Sequence, residues 1–561
     1  MGFGYAVGLD IPPRSLRTGN AMGDTTVIQT MTSHRTDPMG GGTLPALFST
    51  ALSRRPDRVA LWDDADSITY GELHRRSNAL ANAFRDLEIG PETRVATVLP
   101  NRLEAPIVDI AVFKAGAVRL PVNPALSSDE IDHILTDAMP AAVVCDEARI
   151  EPVEELLADL PTRPTCIAVG SGDPPAGWRA ASALEDAANA TRPDVSVSPD
   201  ATAGHFYTGG TTGEPKGVRY TQAALTTNLL AHHADLGFSS TDTGLVATPI
   251  SHSGGTFLLA ALLAGGTVGL HREFDKEAFL EAIADRDVTW TFLVPTMLYR
   301  LLEEPLEEYD LTSLENVIYG AAPIRPDRLR EALERLGPIF TQFYGQTEVP
   351  NLITTLDRRD HARALEDDDD RLLRSAGQPC LLSDVTIVDP DTGEECAPGE
   401  EGELLARAPY AFDGYVDRPD ETADAFVDGW VRTGDIGRID EDGYLFLLDR
   451  RSDVIVTGGM NVYTAEVERV LGEHPDVADV SVIGVPHEEW GEAVRAVVVP
   501  REDSPPVDVD DILEYAGERL AGYKRPKSVE VAAELPTTSI GKIDKATLRD
   551  RHWADEDRRI G

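Results

Sequence analysis

The stretch Tyr207 to Val218, Tyr-Thr-Gly-Gly-Thr-Thr-Gly-Glu-Pro-Lys-Gly-Val, gathers residue types suited to handling phosphate. Gly209, Gly210, Gly213 and Gly217 free the backbone for close approach to a ligand. The hydroxyls of Thr208, Thr211 and Thr212 and the ammonium of Lys216 offer donors to phosphate oxygens. Pro215 before Lys216 and Gly217 after it depart from the Gly-Lys-Ser/Thr ending that opens a helix, so a Walker-type NTPase is not indicated. A plain Gly/Thr turn between two strands is the competing explanation.

Four segments downstream bear on the choice: Tyr344-Gly345-Gln346-Thr347-Glu348, Arg432-Thr433-Gly434-Asp435, Leu448 to Asp453, and Pro536 to Lys545 with Gly541-Lys542 at its centre. Singly, each has an ordinary explanation. Glu348 reads as an exposed turn carboxylate, Asp435 as a turn former after glycine, and Lys542 as a solvated loop lysine.

Taken in this order, the set resembles the adenylate-forming superfamily of acyl-CoA synthetases, peptide-synthetase adenylation domains and firefly-type luciferases, over about residues 44 to 550. That resemblance implies that a carboxylate attacks the α-phosphate of ATP. Two unit negative charges about 4 Å apart repel by about 1 kcal/mol in water and about 4 kcal/mol at a protein-like dielectric. Cations must absorb that repulsion.

By the resemblance, Lys542 bridges the carboxylate and the α-phosphate as a compact point charge. Glu348 holds Mg²⁺ on the phosphates, Thr347 bonds the α-phosphate, and Tyr344 packs on adenine, with Gly345 beside it. Asp435 accepts the ribose hydroxyls, Arg450 adds a ribose contact, and Gly320-Ala321-Ala322-Pro323 lines the adenine and acyl pockets. Thr208, Gly209, Gly210, Thr211, Thr212, Gly213 and Lys216 take the β- and γ-phosphates. Asp449 is the hinge to a lid, and Gly458-Gly459 lies on the face that meets the thiol of coenzyme A. His252 stands where the family has an aromatic gate, a core histidine being the equal alternative.

The gate segment Ser251 to Phe257 has no Asp or Glu to anchor an ammonium, which disfavours an amino-acid substrate. Ser481 to Val499 is similar to the lids of CoA ligases. Gly254 and Gly255 read as room for an acyl chain. The expectation is therefore a medium- or long-chain fatty acid, ATP and coenzyme A. The alternatives are an aryl acid, an acyl-AMP ligase loading a carrier protein, and a scaffold that has lost catalysis.

The elements that must position these residues follow from pattern. Arg94 to Leu99, Ala141 to Cys145, Leu245 to Ala247, Trp290 to Val294 and Val317 to Tyr319 read as buried strands between amphipathic helices. The fold class is α/β. A large N-terminal domain over 44–448 has mixed, largely parallel sheets flanked by helices and, by the resemblance, a β-barrel-like part. A small α+β lid follows over 449–561. Residues 1–43, rich in Gly, Thr and Pro, read as a disordered extension or a start codon set too early.

At 561 residues the chain exceeds one core, and its net charge of −45 argues against nucleic acid and anionic membranes as partners. Only seven lysines stand among the 51 basic residues. A dispersed acidic surface poor in lysine is expected of a halophilic protein. Four scattered cysteines signal neither zinc nor disulfides and fit a reducing cytoplasm. Ser251 to Leu270 is the sole uncharged stretch of about membrane length, and its five glycines favour a buried helix followed by a strand over an integral membrane segment. The oligomeric state stays open, with a homodimer among the options.

Overall fold

The computed structural model describes residues 42–208, 215–487, 489–501, 507–537 and 543–553. Short Val-, Ile- and Ala-rich runs such as Val118–Val122, Ala142–Asp146 and Asn316–Gly320 are buried at every position. Strands covered on both faces need helical crossovers, and parallel sheets result.

Among the described residues the strands form four sheets. One has eight strands in the spatial order Gly414–Tyr415, Gly217–Thr221, Thr202–Tyr207, Val118–Val122, Arg94–Val98, Ala142–Asp146, Thr165–Val169 and Trp178–Ala180. From Thr202–Tyr207 onward its strands run parallel. The nine-stranded sheet runs Gln378–Pro379, Thr354–Leu356, Phe340–Tyr344, Asn316–Gly320, Trp290–Leu293, Thr243–Val246, Thr267–Leu270, Val59–Trp62 and Ser67–Thr69, and is parallel from Phe340–Tyr344 to Val59–Trp62.

Helices Glu104–Ala115 and Ser253–Ala264 are buried along most of their length in one shared core, the second without a charged residue. The stretch from Ser251 to Leu270 is thus the expected helix and strand, and no described helix is long and apolar enough to cross a membrane.

Asn101 ties the two large sheets together. It lies just past Arg94–Val98, the strand flanked by Val118–Val122 on one side and Ala142–Asp146 on the other. Its amide donates to the carbonyls of Thr248 at 2.9 Å and His271 at 3.1 Å and accepts from Ile250 N at 3.0 Å. This buried side chain therefore pins the loop that leads to His252.

The expected barrel-like part is a five-stranded antiparallel sheet in which Trp430–Ile439 pairs with Gly402–Arg407, Phe426–Val427 and Leu445–Arg450. A second five-stranded sheet holds Met460–Val462, Ile455–Thr457, Gly491–Pro500, Val477–His487 and the parallel Ser528–Val531. Helices Thr464–Gly472, Val509–Arg519 and Lys545–Trp553 accompany it. Its apolar clusters begin at Ile455 and share no member with those that end at Leu445 and Phe446. The acidic tract 366–370 joins two helices at the surface, where Asp368 pairs with Arg330 at 3.1 Å.

Candidate active site

Adjacent parallel strands Asn316–Gly320 and Phe340–Tyr344 end side by side, so the segments 320–323 and 344–348 leave the same edge of the nine-stranded sheet. Gly320 is required there, since a Cβ would lie 2.4 Å from the Phe343 carbonyl oxygen. Ala321 follows with a left-handed φ of 66°, an uncommon conformation for a residue with a side chain. Gly345 lets the chain double back, because a Cβ would come 2.5 Å from the Asn351 backbone.

The turn 344–348 serves two corners. On one side, the Tyr344 hydroxyl donates to Asp435 Oδ2, which also accepts from Gln346 Nε2 at 2.6 Å. Gln346 Nε2 lies 2.8 Å from the Thr433 carbonyl oxygen as well. Asp435 stands opposite Arg450 in the antiparallel register, and Arg450 Nε is 2.7 Å from Asp435 Oδ1. Three protein donors thus meet a carboxylate that is 5% exposed. Burial, reinforced by the adjacent Asp435 carboxylate, raises the Tyr344 phenol well above its ordinary pKa and keeps it a donor.

On the other side, Glu348 Oε1 accepts from the Tyr415 hydroxyl at 2.7 Å, and Lys216 Nζ lies 5.2 Å from the centre of the Tyr415 ring. Burial and then Glu348 push the Tyr415 phenol upward. Thr208 and Lys216 close the base of their hairpin: Thr208 N donates to the Lys216 carbonyl at 3.0 Å, and Lys216 N donates to Thr208 Oγ1 at 3.1 Å. Gly209, Gly210, Thr211, Thr212, Gly213 and Lys542 lie outside the described residues. Thr347 and Ala322 are half-buried on the two neighbouring segments.

His252 directly precedes helix Ser253–Ala264, is exposed, and places Nδ1 2.9 Å from Ser251 Oγ, so it is not a core histidine. Behind it runs a closed polar chain. Ser253 Oγ donates to Asn351 Oδ1 at 2.8 Å, Asn351 Nδ2 faces His232 Nε2 at 3.2 Å, and His232 Nδ1 donates to the Asn228 carbonyl at 2.7 Å. Burial holds the His232 pKa down to about 4, so the ring is neutral. Phe257 lies against His232, Phe292 and Phe343.

Gly254 and Gly255 do not open a chamber. A Cβ on Gly254 would sit 2.6 Å from Thr248 Oγ1, and one on Gly255 would sit 2.0 Å from the Ile250 carbonyl oxygen. These glycines let the helix start pack on the preceding loop. The expectation that they make room for an acyl chain is corrected accordingly.

Asp449 Oδ2 accepts from the Thr464 backbone and from Thr464 Oγ1 at 2.8 Å. Lys545 Nζ donates to Thr464 Oγ1 at 2.7 Å and pairs with Glu468 at 2.8 Å. Burial raises the Asp449 pKa to about 6 against the pull of Lys545 and Thr464. Gly458 and Gly459, both at positive φ, form the exposed tip of the hairpin Ile455–Thr457 and Met460–Val462.

Glu348 offers one oxygen beyond its bond to Tyr415. This suits Mg²⁺, which is commonly bound through one carboxylate together with phosphates and water. A separate cluster of His474, Asp476 and Asp511 does not suit a metal. His474 Nδ1 already accepts from Asp476 N at 3.2 Å, so Nε2 carries the proton that faces Asp511.

Gln346, Tyr415, His232 and Asn351 are missing from the sequence reading. Gln346 and Asn351 lie in or beside the Tyr344 turn and could have been sought there. Tyr415 has no local signal, because it reaches Glu348 across 67 residues of chain.

Residues 48–416 match the AMP-binding enzyme family and residues 466–542 match the AMP-binding enzyme C-terminal domain. The chain belongs to this adenylate-forming family and is an ATP-dependent, AMP-forming acid–thiol ligase. It is 37% identical to the medium/long-chain-fatty-acid–CoA ligase FadD8 of Mycobacterium tuberculosis, over 92% of this chain and 91% of that one. It is 38% identical to a feruloyl-CoA synthase of Amycolatopsis sp., over 88% and 96%. The crystal structure of ATP-bound MatB from Rhodopseudomonas palustris superposes with a TM-score of 0.82 at 31% identity, over 92% and 99%.

Proposed function

We propose that the chain activates a medium- or long-chain fatty acid with ATP and passes the acyl group to the thiol of coenzyme A. The observation that carries this reading is the division of labour within one turn. Tyr344 and Gln346 reach Asp435, while Glu348 reaches Tyr415 and, through its ring, Lys216.

In the first step a carboxylate oxygen attacks the α-phosphorus, the bond from α-phosphorus to the bridging oxygen breaks, and pyrophosphate leaves. Asp435 and Arg450 take the ribose. Tyr344, Gly345 and Gly320 to Ala322 enclose the adenine. Thr347 donates to the α-phosphate, and Thr208, Lys216 and the glycine-threonine segment between them hold the β- and γ-phosphates. Lys542 is assigned the bridging of carboxylate and α-phosphate, a role in which its charge counts most as the two anions merge. Glu348 would hold Mg²⁺, whose charge would offset that of the phosphates.

In the second step residues 449–561 turn about Asp449 and bring Gly458-Gly459 toward the acyl-adenylate. The thiol sulfur bonds to the carbonyl carbon, the carbon–oxygen bond to AMP breaks, and the thiol proton passes to solvent. His252 faces the passage between acyl and thiol sides.

An apolar acid is supported by the similarity to a medium/long-chain-fatty-acid–CoA ligase. An aryl acid is the second reading, in keeping with the similarity to a feruloyl-CoA synthase. The lysine-poor, acid-rich sequence supports a halophilic enzyme, and its four free cysteines support a cytoplasmic one.

The test is AMP and pyrophosphate release over acids from octanoate to oleate and over benzoate, cinnamate and ferulate, with and without coenzyme A. Turnover confined to aryl acids overturns the substrate. AMP release indifferent to coenzyme A points to a carrier-protein acceptor, and no release with any acid points to an inactive scaffold.

A further inference from the structure

Helix Ser128–Ala138 has no part in the chemistry above, yet two of its side chains hold the stems of the phosphate hairpin. His133 Nε2 lies 2.9 Å from the carbonyl oxygen of Pro215, the residue before Lys216. A carbonyl only accepts, so Nε2 carries the proton. One helical turn further on, Asp137 Oδ2 accepts from the hydroxyl of Tyr207, the residue before Thr208, at 2.7 Å. Residues four apart share a helix face, so a single face grips both strands.

Asp137 also reaches a third segment. Its Oδ1 lies 3.4 Å from Arg418 NH2, three residues beyond the Tyr415 that links Lys216 with Glu348. The Tyr207 ring crosses the hairpin, where a Cβ on Gly217 would approach it to 3.1 Å. The helix is a firm mount. Ser127 and Glu130 form a capping box, and Ile131, Ile134, Leu135 and Ala138 are buried in the same apolar cluster as Tyr207.

We propose that His133 and Asp137 are positioning residues for the β- and γ-phosphates of ATP. By fixing Pro215 and Tyr207 they set where Thr208 and Lys216 stand relative to Tyr415 and Glu348. Neither touches the nucleotide. The inference rests on the reading of Thr208 and Lys216 as phosphate ligands. A displacement of about 1 Å at such ligands is enough to cost up to about 100-fold.

Calorimetric titration of the full chain with ATP and, separately, with AMP tests it, because AMP lacks the two phosphates concerned. His133→Ala is expected to weaken ATP binding by about tenfold and leave AMP binding unchanged. His133→Gln, whose amide can donate to the same carbonyl, is expected to restore most of the loss. Lys216→Ala tests the underlying reading. If it weakens ATP relative to AMP while His133→Ala does not, the positioning role alone is overturned. If it spares ATP as well, the phosphate reading falls and the inference with it. Equal losses for ATP and AMP in His133→Ala, or no recovery in His133→Gln, would mark a general structural role and also overturn it.

Discussion

Lys216 and Lys542 are two of only seven lysines in the chain, and the proposed reaction assigns them different moments. Lys216 meets phosphates that depart as pyrophosphate, whereas Lys542 meets the merging anions. Lys542→Ala should therefore reduce acyl-adenylate formation by about 100-fold or more while sparing thioester formation from adenylate supplied ready-made. Comparable loss in both half-reactions would contradict the assignment. Asp435, Glu348 and Lys216 were legible in the sequence because each sits in a short segment whose order along the chain is itself informative. Tyr415 and the Asn351–His232 pair were not, since their partners are brought in by distant segments. Gly254 and Gly255 misled because a glycine looks the same whether it leaves space or permits contact, and only the Ile250 carbonyl opposite decides.

At the scale of elements, that contact makes Gly255→Ala a packing lesion at the start of helix Ser253–Ala264. It should lower stability by about 1–3 kcal/mol in chemical denaturation. A shifted chain-length preference at full stability would show that the glycine faces substrate after all. The helix pair Tyr70–Asp86 and Glu104–Ala115 carries a second liability in Lys114, which is 1% exposed and, among the described residues, is bonded to the neutral groups Ser77 Oγ and Asn78 Oδ1 at 2.8 Å and His74 at 3.3 Å. Burial, with Arg192 adding to it, lowers its pKa to about 7. Between there and the ordinary lysine range the unfolded chain holds more protons than the folded one, so this group makes stability rise with pH, by up to about 1.4 kcal/mol per unit. Denaturation midpoints of the native chain and Lys114→Met should converge or cross as pH climbs from 7 to 9, and parallel curves would refute the assignment. The alternation of strands and helices in this part could be read from hydrophobic pattern. A lysine inside it could not, because its burial depends on the tertiary approach of two helices.

For the whole molecule, a net charge of −45 is a standing repulsion that salt screens. Exposed pairs such as Arg163 with Glu154 contribute little against it. The melting temperature should rise by several degrees on going from dilute buffer to molar KCl, and a flat or falling trend would remove the halophilic reading. The strand Leu445–Arg450 has a longer reach. Successive side chains on a strand face opposite ways. Arg450 is held by Asp435 at the corner proposed for the nucleotide, and Asp449 by Thr464 beside Lys545 in the C-terminal part. On the proposed reading, one peptide unit connects occupancy of the ribose position with the contact between Asp449 and Thr464, and equilibrium linkage makes that connection reciprocal. Thr464→Val, which loosens that contact without approaching the nucleotide, should change ATP affinity measurably, and an unchanged affinity would sever the link. By whatever factor the Asp449–Thr464 contact alters the hold on ATP, ATP must alter that contact by the same factor, so nucleotide binding and the set of this strand end are two readings of a single free energy.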